Sequence, residues 1–222
     1  MKVSRGRIIS IVVVACLCMA VVDAVIQPGY VPKSATKLVL FLLLPIFCAF
    51  YDRQLDLKSI FVPGKKGLTF AVAVGALLYV FIVAAYLIFK NVFDFSGITG
   101  SVTSSTGVRQ DNFLWVALYI CLVNSLLEEF FFRGFAFLAL KQFCSRRFCY
   151  IFSAMAFALY HVSMMLGWFA WPVLLLSIAG LFVGGLIFNF FNEKYRSIYP
   201  SYLIHFFANL ATNTIGFLLF QQ

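Results

Sequence analysis

Runs of about 20 apolar residues recur along this chain, the length a helix needs to cross ~30 Å of hydrocarbon. Hydrophobic residues make up 63% of the 222 positions and charged ones 11%, so the sequence describes a polytopic membrane protein. The expected fold is all-α, a transmembrane helical bundle of about seven spans. There is no long polar insertion, so residues 1–222 read as a single membrane domain. The net charge of +9 would suggest nucleic acid in a soluble protein. Here the basic residues fall in short loops between apolar runs, where they set orientation, and no nucleic acid is expected as a partner. Cys16, Cys18, Cys48 and Cys121 lie within apolar runs, Cys144 and Cys149 flank a basic loop, and no C-x-x-C occurs. They read as small membrane residues, not as a disulfide framework or a metal site.

The runs can be placed in order. Lys2, Arg5 and Arg7 precede Ile8 to Ile26, which resembles a signal sequence with a small-residue site near Ala24 but reads better as an uncleaved anchor, Asp23 lying at the interface. Pro28, Gly29 and Pro32 then break the chain before a short second span, Leu38 to Tyr51, containing Pro45. Leu68 to Phe89 is the third span. Asn91 to Asp111, rich in Ser, Thr and Gly, reads as a mobile linker. Phe113 to Leu140, Phe148 to about Met165, Pro172 to about Phe191 and Ser201 to Phe220 complete the set, and Gly180 and Gly184 predict a close-packing face on the sixth.

With the N-terminus inside, the inner segments hold twelve basic residues: Lys2, Arg5, Arg7, Arg53, Lys58, Lys65, Lys66, Lys141, Arg146, Arg147, Lys194 and Arg196. The outer ones hold four, Lys33, Lys37, Lys90 and Arg109. This asymmetry predicts a protein integral to the membrane, the cell membrane if bacterial, with a cytoplasmic N-terminus and an outer C-terminus. On that orientation Glu128 and His161 lie roughly 18 to 20 Å from the cytoplasmic ends of their spans at ~1.5 Å per residue, and His205 is shallower. The site is expected to open toward the cytoplasm.

The fourth span carries Glu128, Glu129 and Arg133 in an otherwise mostly apolar run. Each such group costs at least ~2.5 kcal/mol at the centre of a bilayer helix, so three together mark a functional site. At ~100° per residue Arg133 lies about 40° from Glu129 and about 140° from Glu128, so only Glu129 pairs with it along the helix. Glu128 is left for other work, with Asn124 one turn earlier on nearly the same face and Ser125 placed likewise toward Glu129. A purely structural ion pair would explain Glu129 and Arg133 but not Glu128. The two histidines of the chain, His161 and His205, sit in later spans, and His205, Asn209 and Asn213 form one stripe at four-residue spacing.

Glu-Glu-x-x-x-Arg at 128–133, Phe-x-x-x-His at Phe157 and His161, and His-x-x-x-Asn at His205 and Asn209 resemble, in order and spacing, the three motifs of the CPBP family. These are the CAAX prenyl protease and bacteriocin-processing intramembrane endopeptidases related to the eukaryotic Ras-converting enzyme. The resemblance covers about Asn124 to Asn213 and implies an active site in the last four spans, with 113–220 as the catalytic core; the earlier spans are similar only in being hydrophobic. It implies hydrolysis of a peptide bond in a peptide or small protein, lipidated or not, with Glu128 and His161 activating water and His205 and Asn209 holding the oxyanion. Glu129 and Arg133 would support Glu128.

The residues permit that chemistry, since intramembrane hydrolysis needs a water, a base and oxyanion donors. One carboxylate and two imidazoles also make a plausible zinc set, yet H-E-x-x-H is absent, so a divalent metal such as zinc, or none, both stay open. A non-catalytic immunity or scaffold protein of the same fold is the alternative from another class. A proton-coupled transporter using Glu128 and the histidines as a relay is a third.

Overall fold

The computed structural model describes residues 2–52, 55–92, 96–166 and 170–221. Among them are seven helices long and apolar enough to cross a membrane. They are α1 (Ser4–Ile26), α2 (Tyr30–Tyr51), α3 (Lys65–Phe89), α5 (Phe113–Gln142), α6 (Arg146–Met165), α7 (Trp171–Tyr195) and α8 (Tyr199–Phe220). The short α4 (Ser96–Thr106) lies between α3 and α5. The chain is an integral, all-α membrane protein. Large side chains such as Leu17, Phe50, Leu77, Phe81, Leu175 and Leu176 stand exposed on its flanks. A bilayer solvates such a surface, whereas in water so much exposed apolar area would drive association.

The organising element is α5. Every residue from Leu127 to Leu140 except Leu138 is buried, including the charged ones. Four phenylalanines, Phe131, Phe132, Phe135 and Phe137, fill the space between α5 and the helices around it. Phe41 of α2 stacks on Phe131 at 4.0 Å between ring centroids, and Phe132 meets Phe157 and Tyr160 of α6. The α1 stripe Ile8, Val12, Ala15 and Met19 repeats at helical spacing and is wholly buried in the same core. The first span is therefore packed into the bundle.

Packing on the other side is set by α8, which lies along α3. Gly75 lets the two approach, since a Cβ there would fall 2.3 Å from the Phe207 ring. Two stretches of α5, Ile120–Asn124 and Glu129–Ala139, are π-helical. Such wider turns concentrate at functional sites.

Several boundaries differ from the sequence reading. The second span begins at Tyr30, not Leu38, because Pro32 falls in the first turn, where its missing N–H breaks no bond. The linker predicted over Asn91 to Asp111 contains the helix α4, tied down by Thr103 Oγ1 donating to the Val108 carbonyl at 2.8 Å. The small-residue contact between α6 and α7 is made by Gly185, whose Cβ would sit 3.0 Å from Ala154 Cα; Gly180 and Gly184 face open space. Asp23 is buried within the bundle and pairs with Lys33 at 2.6 Å. Arg53 lies outside the described residues.

Candidate active site

Four helices bring the polar groups together. Glu128 and Glu129 come from the most buried stretch of α5, His161 from α6, His205 from α8 and Lys37 from α2. His161 Nε2 and His205 Nε2 each lie 3.7 Å from the same atom, Glu128 Oε2. The far nitrogens decide which way these rings work. His161 Nδ1 is 2.7 Å from the Phe157 carbonyl, which can only accept, so Nδ1 carries the hydrogen and Nε2 of the neutral ring has a lone pair. His205 Nδ1 donates in the same manner to Glu129 Oε1 at 2.9 Å.

Glu128 Oε2 is buried and has no hydrogen-bond partner among the described residues. Three acceptors thus converge on one spot. Polar atoms held slightly beyond direct hydrogen-bond reach in this way suit a bridging water that donates to two of them.

The other oxygen of Glu128 is fully engaged. Lys37 Nζ and Asn124 Nδ2 both donate to Oε1, and the same ammonium donates to Asn124 Oδ1. Asn124 is thus on the Glu128 face, as its spacing predicts. The sequence reading leaves Glu128 without an ion-pair partner; α2 supplies one.

Glu129 pairs with Arg133 as predicted, Oε2 lying 3.5 Å from Nε, and neither side chain has exposed surface. The guanidinium is held largely by aromatic faces, 3.9 Å from the Phe157 centroid and 5.1 Å from that of Phe188. Ser125 does not reach Glu129. Its hydroxyl donates to the Ile120 carbonyl and accepts from Asn209 Nδ2 at 2.8 Å. Asn209 therefore sits beside the cluster and keeps one amide hydrogen uncommitted to that bond. Asn213 donates to the Asn209 carbonyl.

Residues 110–211 match the family model described as type II CAAX prenyl endopeptidase, Rce1-like. This part of the chain is Rce1-like. The matched segment, a little under half of the chain, contains Glu128, Glu129, Arg133, His161, His205 and Asn209. No curated protein and no solved structure matches the chain.

Lys37 lies outside the Rce1-like segment, and the sequence reading places it in a loop instead of the site. A signal for it exists. Fourteen residues from Leu38 to Tyr51 cover only about 21 Å, too little for a bilayer, so the span has to begin earlier and take Lys37 with it.

Among the described residues no group of three or more His, Cys, Asp or Glu side chains could hold a metal ion. The Lys37 ammonium already offsets the charge of the one carboxylate such an ion would use.

A cavity of about 390 Å³ lies toward the Asp23 end of the bundle, lined among others by Lys33, Val102, Ile120, Ser163 and Asn213. If the N-terminus is inside, this is the outer end.

Proposed function

We propose that this chain hydrolyses a peptide bond in a peptide or small protein with a water activated by Glu128 and His161. The observation that carries the reading is the convergence of Glu128 Oε2 with the Nε2 atoms of both histidines, each at 3.7 Å. A water there gives its proton to the carboxylate as its oxygen attacks the scissile carbonyl. The carbonyl electrons move onto oxygen, and the proton then passes to the departing amine as the C–N bond breaks. His205 and Asn209 serve the oxyanion. For that, His205 must carry a hydrogen on Nε2 as well as on Nδ1, and Glu129, accepting from Nδ1, keeps the ring aimed while it donates. Arg133 in turn holds Glu129.

The substrate would be a CAAX-type prenylated protein or a peptide precursor, reached from within the surrounding lipid. A scaffold or immunity role would not call for a base aligned with two imidazoles, and a relay would not call for the amide of Asn209.

Glu128→Gln tests the reading. The variant should accumulate in the membrane yet fail to cleave an internally quenched peptide ending in a farnesylated CAAX sequence, or a precursor peptide cut by the wild type. Wild-type cleavage by Glu128→Gln would overturn it. We further propose that the reaction uses no metal: dialysis against EDTA should leave the rate unchanged, whereas loss of activity restored by zinc would refute this.

A further inference from the structure

Lys37 is the one buried ammonium in contact with Glu128 among the described residues, and it comes from outside the Rce1-like segment. Its surroundings are built for a cation. Nζ donates to Glu128 Oε1 and Asn124 Oδ1, and lies 4.9 Å from the ring centroid of Tyr160 and 5.5 Å from that of Phe41. Glu128, Glu129, Arg133 and Lys37 together carry two negative and two positive formal charges, all buried. The Arg133 and Glu129 pair closes on itself, so while both histidines are neutral Lys37 is the cation that faces the Glu128 carboxylate.

The geometry does more than balance charge. A carboxylate has two equivalent oxygens and can present either by rotating. Here Lys37 and Asn124 both donate to Oε1, and rotation would sacrifice both bonds at once. Only Oε2 is left to face His161 and His205. We infer that Lys37 is a positioning residue of the active site, holding the Glu128 carboxylate so that a single oxygen meets the water, and that the α1 and α2 hairpin is therefore part of the catalytic unit. This rests on the hydrolytic reading of Glu128.

The deciding variant is Lys37→Met, which keeps the apolar stem and removes the cation. With the farnesylated CAAX peptide, and the rate normalised to substrate-binding sites counted by photo-cross-linking, kcat should fall by about tenfold or more while KM stays within about threefold. A merely structural residue would reduce the number of sites and leave the rate per site intact. That outcome, with Glu128→Gln inactive, would overturn this inference and spare the hydrolytic reading; an active Glu128→Gln would remove both. Should Lys37→Met not accumulate, the double variant Lys37→Met/Glu128→Gln decides. If the two side chains are partners, the double variant should accumulate better than Lys37→Met alone, because no carboxylate is then left without its cation. If it is as depleted as Lys37→Met, the pairing is refuted.

Discussion

At the residue scale, the two adjacent glutamates divide the labour because adjacent residues point to different sides of a helix. Glu129 faces Arg133 and His205, while Glu128 faces Lys37, His161 and His205. Asn209 is the residue whose role separates hydrolysis from the other readings. Its amide never titrates, so it suits an oxyanion but neither a relay nor a metal. Losing such a donor lowers turnover by ~10² to 10³ in well-studied cases. Asn209→Ala should slow cleavage by at least about tenfold while substrate still cross-links. A variant cleaving at the normal rate would remove Asn209 from the mechanism, and joint loss of binding and rate would assign it to packing through Ser125.

At the scale of elements, the site depends on how closely α6 approaches its neighbours, because His161 rides on that helix. Gly185 sets the approach of α7, with Ala154 Cα 3.0 Å from where its Cβ would be. Backbone atoms cannot step aside as a side-chain tip can. Gly185→Val should therefore destabilise the protein by roughly 1–3 kcal/mol, read as earlier thermal unfolding in detergent. Gly184→Val, one position away and facing open space, should change the midpoint little. Equal effects at the two positions would mean that α6 and α7 meet on another face. The motif glycine Gly134 also permits a close approach, since a Cβ there would fall 2.6 Å from Ile60 Cδ1, in the short turn Ser59–Phe61 between α2 and α3.

For the whole molecule, the charge asymmetry of the segments predicts the orientation in the bilayer. Reporter fusions near Arg146 and Lys194 should read as cytoplasmic and one near Ser104 as external. Labelling of the Arg146 loop by an impermeant reagent applied outside intact cells would reverse the assignment. The loop itself is anchored: Arg146, Lys141 and Tyr150 all engage Glu193 near the end of α7, at 2.6 to 2.9 Å for the closest contacts. With that orientation the cavity between Asp23 and Asn213 faces outward.

The all-helical spanning architecture was legible in the sequence because hydrophobic length is a local property, and six runs of sufficient length and a shorter seventh can be counted without knowing what touches what. The pairing of Glu129 with Arg133, and the nearness of Asn124 to Glu128, were legible for the same reason, both being contacts one turn apart on a single helix. Motif order also pointed to Glu128, His161, His205 and Asn209. What only the tertiary structure decided are the contacts between helices. His205 spans 76 residues of sequence to reach Glu129, and Lys37 spans 91 to reach Glu128. No periodicity encodes such a distance. Which of two glycines touches Ala154, and that Asn209 leans on Ser125, depend on how each helix rotates about its axis. Packing against every neighbour at once sets that rotation, and a bilayer that solvates all apolar faces alike leaves it unspecified in the pattern of a single span.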